Sequence, residues 1–110
     1  MTIEALVEAV QTALDETERE YAQMPFFIRP MIRRGFVKRT GHDFAGWREL
    51  LRTPGARLKA ALPALAEHYR GAPQRARRGM GATAAQLEIV EARSKQRAGA
   101  VAALAAALST

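Results

Sequence analysis

TIEALVEAVQTALDETEREY, residues 2–21, places an apolar side chain at every third or fourth position and acidic side chains between them. This spacing predicts an amphipathic helix over about residues 3–23, with Thr2 as its N-cap. A second long pattern begins at Thr83, where Thr83 and Gln86 have the spacing of a capping box. The apolar residues that follow predict a long Ala-rich helix to the C-terminus, and its polar middle, residues 93–99, is expected to bend or stand clear of the core.

Shorter helical patterns lie between these two scaffold helices. They cover about residues 30–39, 44–52 and 54–70, and the last is expected to kink near Pro63. Gly41 has the position of a left-handed cap, and the glycine-flanked stretch of residues 71–82 predicts an exposed basic loop. With no strand-like alternation and no internal repeat, the sequence predicts an all-α fold: a compact bundle of four to five helices forming a single domain over residues 1–110.

The composition is that of a globular protein. Hydrophobic residues make up 48% of the 110 residues and charged residues 25%, which excludes a disordered chain. Because there is no cysteine, disulfides and thiolate metal sites are excluded, which fits a reducing compartment. The first residues lack a basic signal-peptide region, and no apolar run approaches the roughly 18 residues of a membrane span, so a cytoplasmic location is expected.

Charge is unevenly distributed along the chain. The formal net charge is +6 overall, but it is −5 over residues 1–20 and +10 over residues 29–78. An acidic first helix that faces a basic middle predicts an internal electrostatic match, which would leave less positive potential for partners.

The segment MPFFIRPMIRRGFVKR, residues 24–39, interleaves large apolar residues with five cations and contains no acid. Pro25 and Pro30 divide it into a PFFIR turn, expected to anchor in the core, and a short basic helix, expected to face outward. The candidate partner-binding residues are the cations of this segment and of the basic loop: Arg29, Arg33, Arg34, Lys38, Arg39, Arg75, Arg77 and Arg78.

These cations favour a small non-enzymatic binding or accessory protein that docks an acidic macromolecule, above all another protein. The alternative is nucleic-acid binding by the same arginines, although no base-reading motif accompanies them. Binding to a membrane surface is less favoured, because so small a core needs the apolar residues of this segment. Small side chains over residues 98–107 also favour self-association through the C-terminal helix.

Catalytic and metal-binding patterns are lacking in the sequence. Neither His42 nor His68 has a second ligand at helical spacing, and the Glu-x-x-His motif of di-iron bundles is missing. There is also no phosphate-binding glycine loop and no nucleophile elbow. The sequence therefore predicts no metal, no cofactor and no catalytic residue.

Residues 21–41 contain MPFFIRPMIRRG, in which an apolar residue, Pro, an apolar pair and Arg lead into a basic helix. This pattern resembles the small C-terminal helical domain of the catalytic subunit of light-independent protochlorophyllide reductase. The resemblance implies a helical module that contacts a hydrophobic cofactor or a large catalytic partner through Phe26, Phe27 and Arg29. A helical accessory subunit of a cofactor-containing enzyme is therefore a second alternative.

Overall fold

Helices α1 and α6 form the scaffold of the molecule, as their apolar periodicity predicts. A computed structural model describes residues 1–79 and 81–110. In these residues the helices are α1 (Ile3–Ala22), α2 (Arg29–Thr40), α3 (Phe44–Arg52), α4 (Ala56–Arg70), α5 (Ala72–Arg78) and α6 (Ala84–Leu108). The prediction of an all-α bundle with a long Ala-rich C-terminal helix is confirmed.

The helix ends follow the capping signals in the sequence. Thr2 Oγ1 accepts a hydrogen bond from the Ala5 amide at 3.1 Å, and Thr83 and Gln86 form a complete capping box at the start of α6. Gly41 ends α2 with a φ of 87°, a left-handed conformation that glycine adopts at little cost. The boundaries of α1 and α2 therefore lie within a residue or two of those predicted.

The core is formed mainly by α1, α4 and α6, and the shorter helices cover its sides. Helix α6 packs against α4, α1 and α5, whereas α2 packs against α4 and α1, and α3 against the same two helices. The largest fully buried side chains are Trp47, Phe36, Leu14, Leu58, Leu62, Leu65, Leu104, Val10 and Val101. The molecule measures 43 × 26 × 18 Å, and its length follows that of α6, whose 25 residues span about 37 Å.

The predicted loop over residues 71–82 was wrong in its first part. Residues 72–78 form α5, which has Pro73 in its first turn, where a missing amide donor does no harm, and which packs against α6. Met80 lies outside the described residues. Helix α4 begins at Ala56 rather than at residue 54, because Thr53 ends α3 and Gly55 is the N-cap of α4.

The prediction that residues 93–99 stand clear of the core was also wrong. Ser94, Arg97 and Ala98 are buried within α6. The Ser94 hydroxyl donates to the Tyr69 carbonyl oxygen, and the Arg97 guanidinium donates to Glu20 at 2.5 and 3.0 Å. A polar stretch can enter the interior when most of its polar groups find partners there. Within the described residues, no helix has both the length and the apolar character needed to cross a bilayer.

Candidate docking surface

Four of the six acidic residues of α1, Asp15, Glu16, Glu18 and Glu20, form salt bridges with α3 and α6. Arg48 lies 2.8 Å from Asp15 and 2.6 Å from Glu18, and its hydrogen bond lowers the pKa of Asp15. Arg97 forms the corresponding contacts with Glu20 and, at 3.4 Å, with Glu16. The internal electrostatic match predicted from charge therefore exists, but its cations belong to α3 and α6.

The cations of α2 are left out of this match. Arg33, Arg34 and Lys38 are exposed, and in the described part of the chain none of them forms a salt bridge. Arg34 makes a long hydrogen bond of 3.4 Å from Nε to the Pro30 carbonyl oxygen. Their positive charges thus face solvent, in keeping with the expectation that this basic helix faces outward.

The turn before α2 does not anchor in the core as expected. Phe26 is 79% exposed and Phe27 is 72% exposed, and their rings meet edge to face at 5.8 Å. The aromatic rings that do pack inward are Phe36 and Phe44, which are stacked with ring centroids 4.3 Å apart, and the Tyr21 ring lies against both. Phe26 and Phe27 contact each other rather than this cluster.

The turn is instead stabilised by hydrogen bonds to main-chain carbonyl oxygens. The Ile28 amide donates to the Pro25 carbonyl oxygen at 3.0 Å, and Arg29 Nε donates to the Met24 carbonyl oxygen at 2.7 Å. Arg29, which was predicted to bind a partner, therefore stabilises the turn through an internal hydrogen bond. Both phenylalanines are presented on a supported corner between α1 and α2.

The two phenylalanines continue into the outer face of α2. Phe27, Met31, Arg34 and Lys38 follow spacings of four, three and four, so they share one side of the helix. Met31 is 64% exposed, whereas Phe36 on the opposite side is buried. We define the α2 docking face by its five residues: Phe26, Phe27, Met31, Arg34 and Lys38. It is apolar at one end and basic at the other.

The other predicted binding residues lie apart from this face. Arg39 Nε and an Arg75 amino group both point to the His68 ring, at 3.1 and 3.4 Å, and Arg77 pairs with Glu91. Arg78 is exposed at the end of α5. The eight candidates thus separate into five groups: exposed Arg33, Arg34 and Lys38 on α2, Arg29 at the turn, Arg39 and Arg75 at His68, Arg77 paired with Glu91, and exposed Arg78 on α5.

The residue patterns did not predict the exposure of Phe26 and Phe27, for which only the family resemblance implied a contact role, and they did not predict the contacts of His68 with two arginines. Aromatic residues in a small domain are usually core residues, so their exposure was not expected. Two prolines five residues apart mark this stretch as a turn, but they do not determine which of its side chains face solvent.

Other parts of the molecule offer less to a ligand or a partner. A cleft of about 800 Å³ lies between α5 and α6, but it is open and its Arg77 is already paired with Glu91. Among residues 1–79 and 81–110, no three His, Asp or Glu side chains converge as metal ligands would. Within residues 98–107, Ala98, Val101 and Leu104 are buried in the bundle, so only the opposite side of α6 is open to a second copy.

Comparisons with protein-family models, curated proteins and solved structures found no match for this chain.

Proposed function

We propose that the protein is a non-enzymatic docking module that binds an acidic surface of another protein through the α2 docking face. The observation that carries this proposal is the exposure of Phe26, Phe27 and Met31 beside two cations with no internal carboxylate partner. Apolar side chains on such a rigid corner give up little conformational entropy when a partner covers them.

The mixture of side chains supports a protein partner. Protein interfaces are enriched in aromatic residues, Met and Arg, and a few buried aromatic or arginine anchors contribute most of the binding energy. Here Phe26 and Phe27 would be the anchors, while Arg34 and Lys38 would meet carboxylates at the rim and speed the encounter.

Nucleic-acid binding is the alternative, and the exposed phenylalanines give it one specific support, because bases stack on aromatic rings. Against it, Arg29, Arg39, Arg75 and Arg77 make internal contacts and are not part of the docking face, so Arg34 and Lys38 are the two cations that this face offers to a nucleic-acid backbone. A phosphate-binding surface of so few cations would give weak binding with a shallow salt dependence.

The second alternative, an accessory subunit of a cofactor-containing enzyme, also gains from the exposure of Phe26 and Phe27, which the family resemblance assigns to contact with a hydrophobic cofactor or catalytic partner. Arg29, the third residue assigned to that contact, is turned back onto Met24. This alternative predicts visible or near-ultraviolet absorbance in material purified from the source cells, and a blank spectrum counts against it.

The docking face is tested with two matched charge reversals. Arg34→Glu with Lys38→Glu changes the face, and Arg57→Glu with Lys59→Glu makes the same change on exposed positions of α4. We expect an acidic protein partner, isolated from source-cell extract on the immobilised chain and then purified, to bind the α4 variant as it binds the wild type. Binding to the α2 variant should fall at least about tenfold, as the loss of one or two charge-assisted contacts predicts.

A second variant separates the apolar from the basic contribution. Phe26→Ser with Phe27→Ser should also abolish capture of the partner while leaving circular dichroism and thermal unfolding unchanged, because both side chains are exposed. Equal binding by all variants would overturn the proposal. Binding of labelled single strands that is lost with both the α2 and the phenylalanine variants would favour the nucleic-acid alternative.

A further inference from the structure

Two guanidinium groups converge on one buried imidazole at the junction of α2, α4 and α5. Arg39 Nε lies 3.1 Å from His68 Nδ1, and an Arg75 amino nitrogen lies 3.4 Å from the same atom. That Arg75 amino group also donates to the His68 carbonyl oxygen at 2.7 Å. The side chains thus approach from two different helices toward a single acceptor.

The imidazole is neutral in this position. His68 is 4% exposed, and burial, with the charges of Arg75 and Arg39, lowers the pKa of the ring from 6.5 to about 3. A neutral imidazole has one acceptor nitrogen with one lone pair, which can accept fully from only one of the two arginines. Each guanidinium therefore keeps N–H donors that the imidazole does not engage.

No carboxylate balances the two charges. In the described part of the chain neither Arg39 nor Arg75 forms a salt bridge, and the nearby Glu67 pairs with Arg70 at 2.7 Å. Burial and the charge of Arg39 lower the pKa of Arg75. By contrast, the hydrogen bonds that Arg48 donates to Glu18 and Asp15 raise the pKa of Arg48, so the Arg75 environment lacks a negative charge that Arg48 has.

Two glycines make room for this arrangement. A Cβ at Gly35 would lie 3.0 Å from an amino nitrogen of Arg39, and a Cβ at Gly71 would lie 2.9 Å from one of Arg75. Each guanidinium thus rests against a backbone position that has no side chain. Tyr21 lies beside the pair: burial raises its pKa, and the charges of Arg39 and Arg75 oppose that effect.

We propose that Arg39 and Arg75 form a binding site for a phosphate dianion, either inorganic phosphate or a phosphate monoester. Two guanidinium forks supply two positive charges and several donors, which match the charge and the oxygens of a phosphate group. The phosphate would relieve the repulsion between the two cations and accept hydrogen bonds from donors that His68 does not engage. The site lies on the side of α2 that faces α4 and α5, so it is separate from the α2 docking face and does not depend on the proposed docking function.

The proposal is tested first on the wild-type protein by nuclear magnetic resonance. Inorganic phosphate is titrated at neutral pH against chloride of equal ionic strength, and the Nε–H signals of Arg39 and Arg75 are followed with the ring signals of His68. We expect saturable shifts confined to these residues and their neighbours. Methyl phosphate in a parallel titration distinguishes a monoester site, which it should occupy more tightly, from a site for the free anion.

Variants then assign the site. Arg75→Gln should weaken phosphate binding at least about tenfold, as the loss of a charge-assisted donor predicts. Gly35→Ala should weaken it by displacing Arg39 and, because alanine favours helix, should fold well. Arg78→Gln, an exposed arginine of the same helix α5, is the matched control and should leave binding unchanged.

The proposal is overturned if phosphate and chloride give the same shifts in the wild type, or if Arg78→Gln weakens binding as much as Arg75→Gln. If Arg75→Gln does not fold, the wild-type titration and Gly35→Ala decide the matter.

Discussion

His68 is the residue whose titration matters most for this bundle, because its imidazole is buried and neutral between two arginines. In the unfolded chain the same imidazole has its ordinary pKa of 6.5, so below that pH it binds a proton that the folded state does not bind. Folding stability must therefore depend on pH through this residue.

The sign of that dependence follows from the lowered pKa. Above the ordinary pKa the ring is neutral in both states and contributes nothing, whereas below it the unfolded state gains a proton and stability falls. We expect the free energy of unfolding to drop by about 2 kcal/mol from pH 7 to pH 5, because each pH unit below the ordinary pKa costs about 1.4 kcal/mol. The loss continues until the folded ring itself is protonated, at about pH 3.

Urea unfolding at several pH values measures this loss. His42→Gln should retain it, whereas His68→Gln should flatten the curve over the same range. A curve of unchanged slope in His68→Gln would show that other groups cause the loss.

A second prediction at the scale of a residue concerns the contribution of Arg97 to stability. Its side chain is 10% exposed and donates to both oxygens of Glu20, and no hydrogen-bond partner of its Nε is found in the described structure. Arg97→Ala removes the partner of a half-buried carboxylate and should cost about 2 kcal/mol, below the range for a fully buried pair. Arg93→Ala, at a mostly exposed contact with the same Glu20, should cost less than about 1 kcal/mol in the same unfolding measurement. Equal costs would contradict a special role for Arg97.

At the scale of the helix, the elements with local signals were predicted correctly. The caps at Thr2, Asp43 and Thr83 and the left-handed Gly41 act within a few residues, so the sequence alone places them. Helix α5 could not be predicted, because a seven-residue helix flanked by glycines has little intrinsic stability and depends on its packing against α6.

The docking surface was only half predicted for a related reason. That Arg34 and Lys38 face outward follows from their charge, but the exposure of Phe26 and Phe27 depends on which rings pack inward. Phe36, Phe44 and Tyr21 come together from three helices, and no local pattern reveals that they meet. Likewise, the meeting of Arg39 and Arg75 at His68 joins residues far apart in the chain.

Pro63 gives a prediction at the scale of a helix. It lies on the exposed side of α4, inside the helix, where it removes the amide donor that the preceding turn requires. Pro63→Ala should raise the free energy of unfolding by about 1 to 2 kcal/mol, the helix gain being offset in part by greater freedom of the unfolded chain. Pro30→Ala, in the first turn of α2, should change it by less than about 0.5 kcal/mol. A loss of stability in Pro63→Ala would show that the proline fits a local geometry that alanine cannot.

At the scale of the whole molecule, acidic and basic residues are distributed unevenly among the helices. Acidic residues of α1 pair with Arg48 on α3 and Arg97 on α6, whereas Arg33, Arg34 and Lys38 on α2 are exposed and form no salt bridge within the described residues. The net charge of +6 therefore understates the asymmetry that a partner meets. Raising the salt concentration should weaken partner association more than folding, because the exposed cations are screened while the α1 contacts are partly shielded from solvent.

The burial of α6 is also unequal along its length, and this sets the rate at which its backbone amides exchange with deuterium. Ile89 in its first turns is 49% exposed, whereas Val101 and Leu104 are fully buried. Amides of residues 84–90 can therefore open without disturbing the rest, and those of residues 101–104 open only when the bundle unfolds. Mass spectrometry of exchanged peptides should find rapid labelling at the start of this one helix and slow, concerted labelling toward its end. Uniform protection along α6 would show instead that its exposed first turns unfold only together with the core.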